Sequence, residues 1–165
     1  MYYYTTALED WVTKMYTKNR IMTPNDIKVR RIARLFGIFV KQKPMPARFD
    51  IFGRYKGIVL DNRESIEVQR EQFFHELCHI LRHAGHQTLM PKAFLELQER
   101  DAKHFTLYAL MPYHMIKNYD FEDDFIIDTL AEDFKVRREL VIERLDRIKQ
   151  RQEVLLVAEN KINYA

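Results

Sequence analysis

Five consecutive residues, His75-Glu76-Leu77-Cys78-His79, read H-E-x-x-H, the spacing of half a zinc site. A helix advances about 100° per residue, so the two imidazoles lie one turn apart on one face and both reach a single ion, with Glu76 beside them. Neutral imidazoles ligate the metal and the neighbouring carboxylate moves protons, so the chemistry expected is metal-assisted hydrolysis. A catalytic ion takes a third protein ligand and leaves one position to water. Two carboxylates stand close together further on, Glu99 and Asp101. With Glu99 set at 0°, Phe94, Leu95, Ala102, Phe105, Thr106, Ala109 and Leu110 cluster around about 300° on a helical wheel; Glu99 sits at the margin of that apolar stripe and Asp101 about 100° outside it. A carboxylate at such a margin needs a counter-charge, because an unpaired buried charge is costly. Glu99 is therefore the expected third ligand, a salt bridge to Arg82 or Arg100 being its structural alternative. Imidazole and carboxylate suit Zn²⁺, with Mn²⁺ as the other choice.

These side chains need a helix that buries its back. The pattern predicts one over 65–83, with Ser65 as N-cap after the turn-like Asp61-Asn62-Arg63-Glu64. With His75 at 0°, Ile66, Phe73, Phe74, Leu77, Ile80 and Leu81 fall between about 140° and 260°, while Glu76, His79 and His83 fall between about 40° and 100°. Packing and chemistry faces are thus separate. Cys78, near about 300°, reads as a small buried hydrophobe. Three ligands on successive turns would span about 12 Å of axis, too far for one ion, so His83 is expected to touch a ligand from behind or to cap the helix end. A further donor to a developing oxyanion is sought among His104, Tyr113 and His114, which the sequence does not rank.

Around this helix the elements are legible at coarse grain. Helices are expected over 6–18, with Leu8, Trp11, Val12 and Met15 as one stripe, and over 25–36, carrying Lys28, Arg30, Arg31 and Arg34 between Thr23-Pro24 and Gly37. Short strand-like runs follow over 38–41, 48–52 and 57–61, separated by Pro44, Pro46 and Gly53. Another helix is expected over 92–111 after Pro91. Beyond Pro112 come helices over 122–134 and 137–150, joined at Lys135-Val136. The string over 130–145 has helix-turn-helix spacing, but Lys135 stands where the turn favours glycine, so plain packing helices are the preferred reading.

The two nine- and fourteen-residue strings H-E-L-C-H-I-L-R-H (His75 to His83) and E-R-D-A-K-H-F-T-L-Y-A-L-M-P (Glu99 to Pro112) resemble the ImmA/IrrE metallopeptidases. They are similar to that family's H-E-x-x-H with a further histidine four residues on, and to its E-x-x-A-x-x-F-A-x-x-L-L-M-P segment. The likeness covers roughly residues 51–112. It departs at Cys78, Thr106 and Ala109, all packing positions. The resemblance implies His75, His79 and Glu99 as ligands and Glu76 as general acid/base. It implies an α+β, mostly helical, zincin-like core, with a small three-stranded sheet preceding the metal helix and an exposed edge that pairs with an extended peptide. It also implies a helix-turn-helix transcriptional repressor as protein substrate, in phages and mobile elements. The alternative from another class is a non-proteolytic regulator that binds a repressor or DNA around a structural ion. Such an ion normally has four protein ligands, and three are in view here, which favours catalysis.

At 165 residues and 47% hydrophobic, the chain is long enough for one core, and a single domain over 1–165 is expected: N-terminal helices (1–37), sheet and metal-site helices (38–112) and a C-terminal helical part (113–165). The first ten residues lack the pattern of a signal peptide, and no apolar run approaches membrane-spanning length. A lone cysteine excludes an intrachain disulfide, and a cytoplasmic protein is expected. The net charge of +3 is mild and the signs are interleaved, so DNA binding is not expected beyond a weak, non-specific affinity. Arg137, Arg138, Arg144, Arg147, Lys149 and Arg151 read as a solvated face.

Overall fold

The computed structural model describes residues 3–83 and 90–163. Helix α1 (Ala7–Lys18) opens with a capping box, the Thr6 side chain accepting from the Glu9 N–H and the Glu9 carboxylate accepting from the Thr6 N–H. It buries Val12 and Tyr16. The basic segment is two pieces, where one helix over 25–36 was expected: a 3-10 turn, Pro24–Asp26, and α2 (Val29–Leu35). The break follows from Asp26, whose carboxylate accepts from the Met22 and Thr23 backbones and so competes with helical hydrogen bonding. Gly37, at φ 64°, ends the segment.

Three strands follow, β1 (Phe39–Lys43), β2 (Arg48–Phe52) and β3 (Tyr55–Asp61), in the order β1-β3-β2. β3 is central, parallel to β1 and antiparallel to β2, with Phe49 opposite Ile58. Gly53, at φ 56°, is the first of the two residues turning β2 into β3. β3 buries Gly57 to Asp61, whereas β1 and β2 are largely exposed edges. β2 pairs with β3 alone among the described residues.

Helix α3 (Ile66–Arg82) lies against β2 and β3, its Ser65 cap accepting from the Val68 N–H. Phe73, Phe74, Leu77 and Cys78 are fully buried, as the wheel predicts; Ile66, the first helical residue, is 72% exposed and outside the packing arc assigned to it. Helix α4 (Lys92–Leu110) packs along α3. Only its second half is deeply buried, from Ala102 onward; Phe94 and Leu97 face outward. Then come a single turn α5 (Tyr113–Ile116), α6 (Ile126–Phe134) and the long α7 (Arg138–Asn163). α6 starts four residues later than expected, because Asp120 and Asp123 accept from the N–H groups of Glu122 and Phe125 and hold turns there. α7 runs thirteen residues past the expected end at 150, since no glycine or proline occurs there to stop it. One hydrophobic core runs from Val12 to Ile148. None of the helices among the described residues is long and apolar enough to cross a membrane.

Arg144 corrects the reading of the C-terminal cations as a solvated face. It is 0% exposed, its Nη2 2.6 Å from Glu9 and its Nε donating to the Met111 carbonyl at 3.1 Å. Its guanidinium also lies 4.7 Å from the Tyr108 ring centre. Arg144 stands three residues after Val141 and four before Ile148, both buried, so its spacing puts it in the apolar stripe of α7, and grouping it with the neighbouring cations hid that.

Candidate metal centre

α3 and α4 bring the expected residues together. His75 Nε2 is 3.0 Å from Glu99 Oε2, His79 Nε2 is 3.1 Å from Glu99 Oε1, and the two Nε2 atoms are 3.2 Å apart. Ligand atoms held tetrahedrally at zinc-like bond lengths stand about 3.3–3.5 Å from one another, so this donor set closes on a volume of the right size. Neutral rings cannot make all three of these contacts hydrogen bonds, because two N–H groups given to the two carboxylate oxygens face each other at 3.2 Å, and a shared cation answers that arrangement. The residues present therefore fit a divalent ion of the zinc or manganese kind.

Glu99 reaches the centre differently from the wheel's expectation. Its side chain is 53% exposed, not wedged in the apolar stripe, because the first half of α4 is uncovered. Nor does Arg82 neutralise it. Arg82 binds Asp101, its Nε 2.9 Å from Oδ2, and Asp101, expected to point away from the core, faces α3 instead.

His79 is almost wholly enclosed, 2% exposed, with the Phe49 ring of β2 stacked on it at 5.5 Å. Burial pulls its pKa down to about 4, against the attraction of Glu99. The ring is thus neutral near pH 7, as a metal-binding imidazole must be. Glu76 goes the other way. Burial, then the nearby negative charge of Glu99, raise its carboxyl to about 7, while the Phe49 N–H hydrogen-bonded to it works against the rise. A carboxyl in that range gives and takes a proton near neutrality.

Behind His79 lies His83, expected to back a ligand or cap the helix. It occupies the C-cap of α3, with Nδ1 2.9 Å from His79 Nδ1 and Nε2 3.0 Å from Asp101 Oδ2. Cys78, His83 and Asp101 also converge closely enough for a metal. The Arg82 guanidinium already supplies Asp101 with a cation, so this second cluster reads as an ion-pair network. Cys78 is buried, and burial followed by Asp101 pushes its thiol pKa up, which keeps it protonated.

The three oxyanion candidates make their contacts elsewhere. His114 Nδ1 is 3.2 Å from Thr13 Oγ1 on α1, and its Nε2 is enclosed with no hydrogen-bond partner among the described residues. Tyr113 packs on Tyr3 at 4.2 Å, and His104 lies beside Tyr108 on its own helix. Phe49, which the sequence reading passed over, stacks on His79, and Asp101, which it had pointed away from the core, contacts His83 behind that ring. Alternation along β2 hints at Phe49; nothing in the sequence distinguishes Asp101 from a solvated carboxylate.

The comparisons agree with this architecture. The peptidase M78 family, described as the IrrE N-terminal-like domain, matches residues 26–146. The phage-like element PBSX protein XkdA of Bacillus subtilis (strain 168) is 33% identical over 150 residues, 90% of this chain and 76% of its own length. Protein YqaB of the same organism is 31% identical over 147 residues, 88% of this chain and 86% of its own. Among solved structures, a Mycobacterium tuberculosis transcriptional regulator superposes with a TM-score of 0.64 over 86% of this chain, at 19% identity. That is a likeness of fold, and the chain spans 47% of that regulator's length. On the family match and the relatives together, the chain belongs to the peptidase M78, IrrE N-terminal-like family.

Proposed function

We propose that the chain is a zinc-dependent endopeptidase that cuts a helix-turn-helix transcriptional repressor and so relieves repression in a phage or mobile element. The observation that carries the enzymatic part is the closure of His75 Nε2, His79 Nε2 and the Glu99 carboxylate on one small volume, with Glu76 on the same helix face. When bound there, zinc supplies Lewis-acid chemistry, drawing charge from an oxygen and making water a better acid. Glu76 accepts the proton of the attacking water and returns it to the leaving amine nitrogen. The β2 edge, through Phe49, forms one wall of the site, and because β2 pairs with β3 alone among the described residues its other side can receive an extended substrate strand. Membership in a peptidase family supports the reaction class, and the phage-like element in the name of one relative supports the genetic setting. The repressor as substrate rests on the resemblance of the two motifs to the ImmA/IrrE proteins.

The test joins metal content to cleavage. His75→Ala, His79→Ala and Glu99→Ala should each lose the roughly one equivalent of zinc that the wild type holds. Glu76→Gln should keep the zinc and the fold while cleaving a co-expressed candidate repressor about 10²-fold more slowly or worse, read by gel and mass spectrometry. Cleavage undiminished in Glu76→Gln would remove its role as the base. Derepression that persists without cleavage would favour a regulator that binds and does not cut.

A further inference from the structure

We propose that the free edge of β1 is a docking site for a partner protein, which presents an extended segment of mixed acidic and apolar residues and adds it to the sheet as a fourth strand. The inference is independent of the metal centre. β2, whose Phe49 stacks on His79, lies on the other side of β3, so the two edges of the sheet serve separate sites.

A cleft of about 730 Å³ opens between α2, β1 and the start of α3, and Phe39, Val40 and Gln42 all line it. Successive side chains of a strand point to opposite faces. A cleft bounded by both Phe39 and Val40 therefore runs along the edge of β1 and not over one face of the sheet. That edge is unused by the fold. β1 pairs with β3 alone, and residues 39–42 make no backbone hydrogen bond outside that ladder among the described residues. An open strand edge with a cleft beside it is the arrangement by which a sheet takes up an extended peptide.

The lining selects the occupant. Leu60 and Ile66 give the cleft aliphatic surface, and this is the surroundings of Ile66, which is 72% exposed where the packing pattern of α3 would bury it. The charged residues of the lining are three arginines, Arg30, Arg34 and Arg70, with no carboxylate among them. Arg70 is fixed, its Nη1 donating to the Ile27 carbonyl at 2.9 Å and its Nη2 to that of Phe134 at 3.1 Å. Arg30 and Arg34 are exposed on α2 and enter no ion pair among the described residues, unlike Arg31 between them, which binds Asp26. Guanidinium groups left without a counter-charge beside an apolar cleft suit the carboxylates of a ligand that also carries apolar side chains. Lys41 and Lys43, both exposed, continue the positive charge along β1 itself. The edge favours a peptide over a nucleic acid, because strand pairing needs main-chain N–H and C=O groups that a nucleic acid lacks.

The probe is a display library of random dodecapeptides, selected on the full chain with the Arg30→Ala, Arg34→Ala double variant as counter-selection. The peptides retained should combine Asp or Glu with aliphatic residues. A library that yields no peptide specific for the wild type, or yields basic ones, overturns the proposal. One retained peptide, synthesised with a fluorophore, should bind the wild type in anisotropy titrations and bind the double variant about tenfold more weakly or worse. It should also slow hydrogen exchange of the backbone amides over residues 39–43. Alternate N–H groups of a paired strand face its neighbour, so methylating one alternate set of peptide nitrogens should abolish binding, while methylating the other set leaves it within about threefold. Equal tolerance of both sets, or unchanged exchange over residues 39–43, overturns strand addition. A poly-dT oligonucleotide that displaces the peptide from the wild type and fails to bind the double variant overturns the peptide in favour of a nucleic acid. Both arginines are exposed, so the double variant should keep the wild-type melting temperature; should it not fold, Arg34→Gln takes its place, and the exchange and methylation measurements decide.

Discussion

Glu76 and His79 both stand on α3, and burial makes both prefer to be neutral, with opposite consequences for pH. The sign can be followed group by group in the metal-free protein. His79 has its folded pKa lowered from 6.5 to about 4, so its contribution to stability is present above 6.5 and lost as pH falls toward 4. Glu76 has its folded pKa raised from 4.5 to about 7; its contribution is present below 4.5 and lost as pH rises through 7. Between pH 4.5 and 6.5 the two oppose each other. Urea titrations of the metal-free wild type should therefore show a shallow pH dependence across that window. The Glu76→Gln variant, with His79 acting alone, should gain stability as pH rises through it. Equal slopes in the two proteins would mean that Glu76 is not buried as described. The sequence announced His75, Glu76 and His79 because their spacing along one helix is itself the geometry. It did not announce Phe49 or Asp101, whose roles come from a strand crossing α3 and from the rotation of α4; alternation along β2 only hints at the first, and the second leaves no local signature.

At the scale of elements, the junction of α6 and α7 shows a misfit between residue and backbone. Lys135 caps α6 in the left-handed region, φ 54° and ψ 54°, where a side chain is strained and glycine is not. The sequence already marked this position as one where a helix-turn-helix favours glycine, and the structure supplies the reason. Lys135→Gly should stabilise the protein by about 0.5–1 kcal/mol in chemical denaturation; a loss of stability would show that the lysine makes a contact worth more than the strain. The flanking cations are mostly engaged: Arg137 binds Glu71 with its Nε at 2.8 Å, Arg138 pairs with Asp128, and Arg147 with Glu143 on its own helix. This supports packing helices over a reader of DNA bases. The boundaries of α2 and α6 were hidden from periodicity because short aspartate turns decide them, and hydrophobic spacing says nothing about an Asp side chain that captures its neighbours' N–H groups.

Across the whole molecule, the Glu9–Arg144 pair joins the first and last helices through the core. Glu9 does three tasks at once: it closes the α1 capping box through Thr6 N–H at 2.7 Å, accepts from the Tyr3 hydroxyl at 2.8 and 2.9 Å, and meets Arg144 at 2.6 Å. Both ionic side chains are out of water, at 1% and 0% exposure, so desolvation is offset only while every partner is in place. No local pattern could reveal a pair 135 residues apart. Arg144→Met keeps much of the apolar stem and removes the charge, leaving Glu9 buried with neutral donors alone. It should cost about 3–5 kcal/mol, the scale for breaking one partner of a buried pair. In a chain of this length that corresponds to a fall in melting temperature of roughly 10 °C. Glu9→Gln with Arg144→Met removes both charges while keeping an amide that can still close the capping box, so the double variant should recover a substantial part of the loss. Zinc content should change little in either protein at temperatures where it is folded, because the pair touches none of the ligands. If the double variant is as unstable as Arg144→Met alone, the loss comes from the guanidinium's contacts with Met111 and Tyr108 and not from the stranded carboxylate.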